Sequence, residues 1–151
     1  MESKKRIFLD SSVILSALFS GKGASHFILF EPIDVELQIS EYVFRETYRV
    51  IKNKYKSEQK PLLNRLFFML AEAHVTFAHN PGKSELVNIE QIISKNDAPI
   101  LSTALSHSDY LITLDNEFFD EKIIQTAVLR RLTILKPGEF LEKYKSGLSF
   151  I

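Results

Sequence analysis

RIFLDSSVILSA, residues 6–17, decides how the rest of the chain is read. Ile7-Phe8-Leu9 is an apolar run long enough for a buried strand and too short for a helix. Asp10 follows, then Ser11 and Ser12, residue types that start helices, and the largely apolar stretch Val13 to Phe19 suits a helix packed on both sides. A carboxylate at the end of a buried first strand is costly unless something pairs with it. In open α/β sheets that edge is also where ligands bind. Capping of the next helix and a functional role both remain open for Asp10 at this point.

Working outward, strands and helices alternate along the whole length. Gly21-Lys22-Gly23 breaks the chain, Ala24 to Phe30 reads as a short helix, and Val35 to Ile39 alternates apolar and polar as a half-buried strand does. Ser40 is placed to cap an amphipathic helix from Glu41 to Tyr55, with Val43, Phe44, Val50, Ile51 and Tyr55 as its apolar stripe. A helix from Leu62 to Ala73 buries Leu63, Leu66, Phe67 and Leu70, and a short strand, Val75 to Ala78, ends at the turn Asn80-Pro81-Gly82. Glu85 to Ser94 reads as a helix, and Asn96 caps another whose first turn holds Asp97 and Pro99. Tyr110 to Thr113 is a buried strand ended by Asp115; a helix over Asp120 to Arg131, a strand over Thr133 to Leu135 and a closing helix over Glu139 to Tyr144 complete the chain. This alternation calls for a parallel sheet with helices on both faces. With no repeat, linker or low-complexity segment, 151 residues are expected to form one domain, residues 1–151.

Composition narrows the class. No apolar run reaches the ~18 residues that cross a bilayer, and no signal-peptide pattern is present, so no membrane association is expected. The absence of cysteine excludes disulfides and thiolate zinc sites and fits a cytoplasmic protein. Nineteen basic and nineteen acidic residues give zero formal charge, hence no global pull on nucleic acid. The charge is uneven: Arg45, Arg49, Lys52, Lys54, Lys56, Lys60 and Arg65 fall within one stretch against only Glu46 and Glu58. Such a run is ordinarily a solvated helix face, and becomes a phosphate-tracking surface only beside a catalytic site.

Four carboxylates stand out by placement. Asp10 and Asp115 each follow an apolar strand and emerge on the same edge of a parallel sheet. Asp97 opens a helix, and Glu46 lies in an apolar stripe, three residues after Val43 and four before Val50. Singly, each has a structural use: a helix-end charge for Asp97, a turn cap for Asp115. Crowded together, four acids repel one another unless a cation is present. Oxygen-only ligands suit Mg²⁺ or Mn²⁺, ions that polarise a phosphodiester and generate hydroxide.

These residues also carry a resemblance to the PIN-domain nucleases that runs nearly end to end. IFLDSSVILSAL resembles the family's opening strand with its first acid, and SEYVFRETYRVI the helix that supplies the glutamate. NDAPILSTALSHSDYLITLDNEFF is the most specific part, matching the third and fourth acids and their spacing, and ILKPGEFL resembles the family's ending. The resemblance implies a three-layer α/β/α fold with a central parallel sheet of strand order 3-2-1-4-5. It implies a metal-dependent endoribonuclease, with Mg²⁺ or Mn²⁺ held by Asp10, Glu46, Asp97 and Asp115, directly or through water. Ser12, Thr113 and Asn116 match positions that support the acids. The basic stretch begins on the Glu46 helix, which makes Arg45, Arg49 and Lys52 the candidates for RNA binding, with Arg130 and Arg131 as competitors. Likeness to the toxin nucleases of bacteria and archaea implies an antitoxin partner whose tail fills the acidic groove, and many members of the family form homodimers. There are departures: Ser12 stands where many members have asparagine, and Leu114 where many have glycine.

The main alternative is a non-catalytic PIN module that binds RNA or a protein partner. A receiver-like signalling domain wants adjacent acids after strand one and a late lysine, and a haloacid-dehalogenase-like phosphatase wants an aspartate where Ser12 stands; both fit poorly. The four histidines lack zinc-ligand spacing, and the aromatic residues are spaced as core stripes rather than as a base-stacking platform.

Overall fold

The structure, a computed structural model, describes residues 3–147. Five parallel strands form one sheet in the order β3-β2-β1-β4-β5: β1 (Arg6–Leu9), β2 (Glu36–Ser40), β3 (Thr76–Ala78), β4 (Tyr110–Ile112) and β5 (Thr133–Leu135). The helices α1 (Ser11–Phe19), α2 (Ala24–Phe30), α3 (Glu41–Lys54), α4 (Gln59–Glu72), α5 (Lys83–Ile89), α6 (Ala98–His107), α7 (Glu121–Leu129) and α8 (Pro137–Ser146) connect and flank them. Parallel neighbours need crossover connections, which is why helices separate the strands. The expected fold class and strand order are observed.

Central β1 is bracketed by β2 (Ile7 opposite Leu37) and β4 (Phe8 opposite Leu111). Ile7, Phe8, Leu9, Leu111 and Ile112 are all fully buried, as befits strands covered on both faces. Chain order reverses at the β1/β4 boundary, the point at which open α/β sheets leave a crevice beyond their carboxyl ends. Asp10 and the residues after Ile112 emerge there. The Asp10 N–H donates to the Ile112 carbonyl at 3.1 Å, so sheet pairing continues to the last residue of the edge.

Some boundaries differ from the sequence reading. The helix expected over Glu85 to Ser94 starts at Lys83 and stops at Ile89. Beyond it, Gln91 N–H donates to Asn88 and Ile92 N–H to Ile89, tight three-residue bonds that do not propagate an α-helix. Helix α4 starts at Gln59, ahead of Pro61, because first-turn amides have no intrahelical acceptor and proline loses nothing there. Its Phe67 is 48% exposed instead of buried; Met69 takes the core position. Helix α8 starts at Pro137 for the same reason as α4 tolerates Pro61, and ends at Gly147, whose φ of +68° is the left-handed conformation glycine adopts at no steric cost. No single helix among the described residues is long and apolar enough to cross a membrane.

Candidate active site

Asp10 is 3% exposed, held where β1 becomes α1. One carboxylate oxygen, Oδ1, accepts the Ser11 N–H at 2.7 Å, the helix cap. The other, Oδ2, accepts from the Ser12 hydroxyl at 2.9 Å and the Thr113 hydroxyl at 2.7 Å. Each hydroxyl in turn accepts a backbone N–H from the segment after β4: Leu114 to Ser12 at 3.1 Å, Asp115 to Thr113 at 3.0 Å. Capping and convergence on a site are therefore properties of the same side chain. Burial drives the Asp10 carboxyl above the usual carboxylate range, and the nearby Asp115 charge adds to this. The bonds from Thr113, Ser12 and Ser11 oppose the shift by favouring the ionised form.

Glu46 points from α3 to the same edge, as its place in the apolar stripe requires. The Ser11 hydroxyl donates to its Oε1, and that hydroxyl also lies 3.4 Å from Asp10 Oδ1, so one serine spans two acids. Burial raises the Glu46 carboxyl first, and Asp10 and Asp115 raise it further, against the Ser11 bond and the positive charge of Arg49. Asp97 immediately precedes α6, and Asp115 lies just past β4. The Asp97 carboxyl is pushed up to about 8, by burial, then by the charge of Asp115 and a hydrogen bond between the two carboxyls, then by Glu117 and Asp10.

Glu117 is an acid the sequence reading did not single out. A 3₁₀ turn over Asn116–Phe119 carries it back onto Asp115, whose Oδ1 accepts the Glu117 N–H at 3.0 Å. Its own Oε1 accepts the Ser94 N–H at 2.8 Å, which ties the turn to the segment entering α6. One oxygen from each of Asp97, Asp115 and Glu117 lies within 4.8 Å of the others. The only signal in the sequence is its spacing, two residues beyond a strand-end aspartate.

The four predicted acids thus converge at the β1/β4 crevice with a fifth, and each of Asp10, Glu46 and Asp97 senses the charge of Asp115. Among the described residues none of the five forms an ion pair with lysine or arginine. A set of hard oxygen donors, crowded enough to raise its own proton affinity, fits a small divalent cation. Ser12 and Thr113 both hydrogen-bond to Asp10. Asn116 is exposed and its side chain bonds to none of the acids. Leu114 has no positive φ, so its backbone does not need the glycine found elsewhere. Among the basic candidates, Arg45 pairs with Glu41 at 2.5 Å, Lys52 lies 5.3 Å from the Tyr48 ring centre, and Arg130 pairs with Glu85 at 2.9 Å. Tyr42, unremarked in the sequence, borders the site. Its hydroxyl donates to the Asn96 carbonyl at 2.7 Å, and its phenol is raised by burial and by Glu46, Asp97 and Asp10.

A family model described as PIN domain matches residues 7–124. No curated protein matches the sequence significantly. Among solved structures, VapBC2 from Rickettsia felis, bound to a DNA fragment of its promoter, is similar with a TM-score of 0.65 at 14% identity, over 87% of this chain and 98% of that one. PAE2754 from Pyrobaculum aerophilum is similar with a TM-score of 0.62 at 13% identity, over 94% and 96%. FitAcB from Neisseria gonorrhoeae gives 0.59 at 18% identity, over 87% and 98%. At these identities the structural likeness is one of fold.

Proposed function

The chain belongs to the PIN-domain family, and from that membership we propose that it is a Mg²⁺- or Mn²⁺-dependent endoribonuclease, the toxin of a toxin–antitoxin pair. The observation that carries the reading is the meeting of Asp10, Glu46, Asp97 and Asp115, the first and last more than a hundred residues apart along the chain, in one crevice where, among the described residues, none of them forms an ion pair with lysine or arginine. A fold maintained for stability alone gains nothing from such crowding, since like charges cost free energy and are more cheaply replaced.

Asp10, Glu46, Asp97 and Asp115 are the residues that would hold the metal, and Glu117 is positioned to join them. When bound, Mg²⁺ or Mn²⁺ supplies charge stabilisation for a phosphodiester and a hydroxide nucleophile at neutral pH. The chain's own contribution is positioning. Ser12 and Thr113 lock one Asp10 oxygen in place, the Ser11 amide locks the other, and the Ser11 hydroxyl sets Glu46. Such outer contacts fix the orientation of carboxylate ligands and are costly to remove. Arg49, the cation whose charge reaches Glu46, is the best placed of the proposed RNA-binding residues.

The test is cleavage of a single-stranded RNA with Mg²⁺ or Mn²⁺, with and without chelator, by wild type, Asp10→Asn and Asp97→Asn. Metal-dependent cleavage lost in both variants is expected. RNA binding without cleavage by the wild type would replace the enzyme with a binding module. Equal cleavage by all three would mark a contaminant. An antitoxin is the proposed partner, supported by the fold likeness to VapBC2 and FitAcB, and a second copy of the chain is proposed as well.

A further inference from the structure

We propose that a cavity beside the acid centre, walled by Tyr42, Leu86, Pro81 and Pro99 with Asn80 at its rim, receives one unpaired base of the RNA strand. The cavity measures about 440 Å³, within the range of small-molecule sites. It shares two walls with the acid crevice. Tyr42 lies one helical turn before Glu46 on α3, and Pro99 follows Asp97 by two residues on α6. The hydrogen bond from the Tyr42 hydroxyl to Asn96 joins the two walls at the residue before Asp97. Glu46, Asp97 and Asp10 all act on the Tyr42 phenol, which places that ring next to the carboxylates.

The chemistry of the lining selects a base over a phosphate. The charged side chains of the cavity, Glu41 and Arg45, neutralise each other at 2.5 Å, so no cation is left over for an anion. What remains is an aromatic ring, two proline rings and a leucine, surfaces suited to a flat uncharged group. Asn80 is exposed and makes no hydrogen bond among the described residues, so its amide donor and acceptor are free to meet a base edge. Proteins that read unpaired RNA combine these parts: stacking on an aromatic face and hydrogen bonds to base edges. A base turned into this cavity would hold its own phosphate near the carboxylates and would exclude a fully paired duplex. The identity of the ligand rests on the ribonuclease reading; the pocket itself does not.

The test needs no metal and no turnover. Saturation-transfer NMR on the full chain in chelator is run with adenosine, guanosine, cytidine, uridine and, as control, ribose. For at least one nucleoside, transfer to base protons is expected to exceed transfer to ribose protons, with ribose alone silent. Tyr42→Ala should weaken that binding roughly tenfold, the scale of one base–aromatic contact. Asn80→Ala, at an exposed turn, should weaken it by a smaller factor and serves where Tyr42→Ala does not fold. Silence from every nucleoside, or binding unchanged in folded Tyr42→Ala and in Asn80→Ala, would overturn the proposal. Nucleoside binding by a chain that cleaves no RNA would instead retain the pocket and sink the nuclease.

Discussion

Replacing Asp97 by asparagine is expected to stabilise the metal-free protein, and to do so more as pH rises. The Asp97 carboxyl moves from an ordinary 3.8 to about 8 on folding. At about 1.4 kcal/mol per unit, a shift of about four units bounds the effect near 6 kcal/mol. The side chain is only half buried, and water screens such interactions strongly, which reduces the usable figure to about 2 kcal/mol. The sign follows from proton binding: between pH 4 and 8 the unfolded chain has lost a proton the folded chain still holds. Ionisation therefore favours the unfolded state increasingly through this window, and the penalty is complete above pH 8. Asparagine does not titrate and escapes it. Thermal melts in chelator should place Asp97→Asn about 4–8 °C above wild type at pH 8.5 and within about 2 °C at pH 4.5. A variant that melts at or below wild type at pH 8.5, or a gain that ignores pH, would refute the account of crowded carboxylates.

Adding Mg²⁺ or Mn²⁺ at pH 8 should raise the melting temperature of wild type with ion concentration and leave Asp97→Asn and Asp115→Asn much less affected, because only a ligand that binds the folded state stabilises it. The same titration should show weaker ion binding at pH 6 than at pH 8, since protons compete for the raised carboxyls of Asp10, Glu46 and Asp97. Thr113→Val preserves shape but removes the 2.7 Å bond to a buried carboxylate, and urea denaturation at pH 7 should show a loss of about 1.5–3 kcal/mol. Phe118→Ala empties a fully buried position inside the turn that carries Glu117, which should cost about 3–5 kcal/mol by the same measurement. Arg130→Ala, breaking an exposed pair with Glu85, should change stability by less than about 1 kcal/mol.

What was legible in the sequence depended on the range of the signal. Asp10 could be read because a buried strand and a helix start meet at that residue, and Glu46 because helical period alone fixes which face it shares with Val43 and Val50. The strand order followed from the resemblance, and the sheet bears it out. Glu117 was not legible: its carboxylate reaches the cluster through a 3₁₀ turn and an amide, Ser94, twenty-three residues earlier in the chain. Ser11 read as a helix starter and no more, because its second role depends on where α3 lies. Arg45 read as a candidate RNA-binding residue, yet its neighbour one turn back, Glu41, pairs with it. In each case the missing information was which distant atom lies opposite, and periodicity along one segment does not contain that.

The bond from Thr113 to Asp10 spans 103 residues, and this separation governs when the crevice comes into being. A chain emerging from the ribosome completes β1, β2 and the Glu46 helix long before Asp97 or Asp115 exists. Closing β4 onto β1 is a large loop closure, slow by comparison with helix formation. A product cut short before β4 carries Asp10, Glu46 and Asp97 but lacks Asp115, Glu117 and the Thr113 hydroxyl that holds Asp10. The full acid set therefore assembles in one late step, after most of the chain has been made.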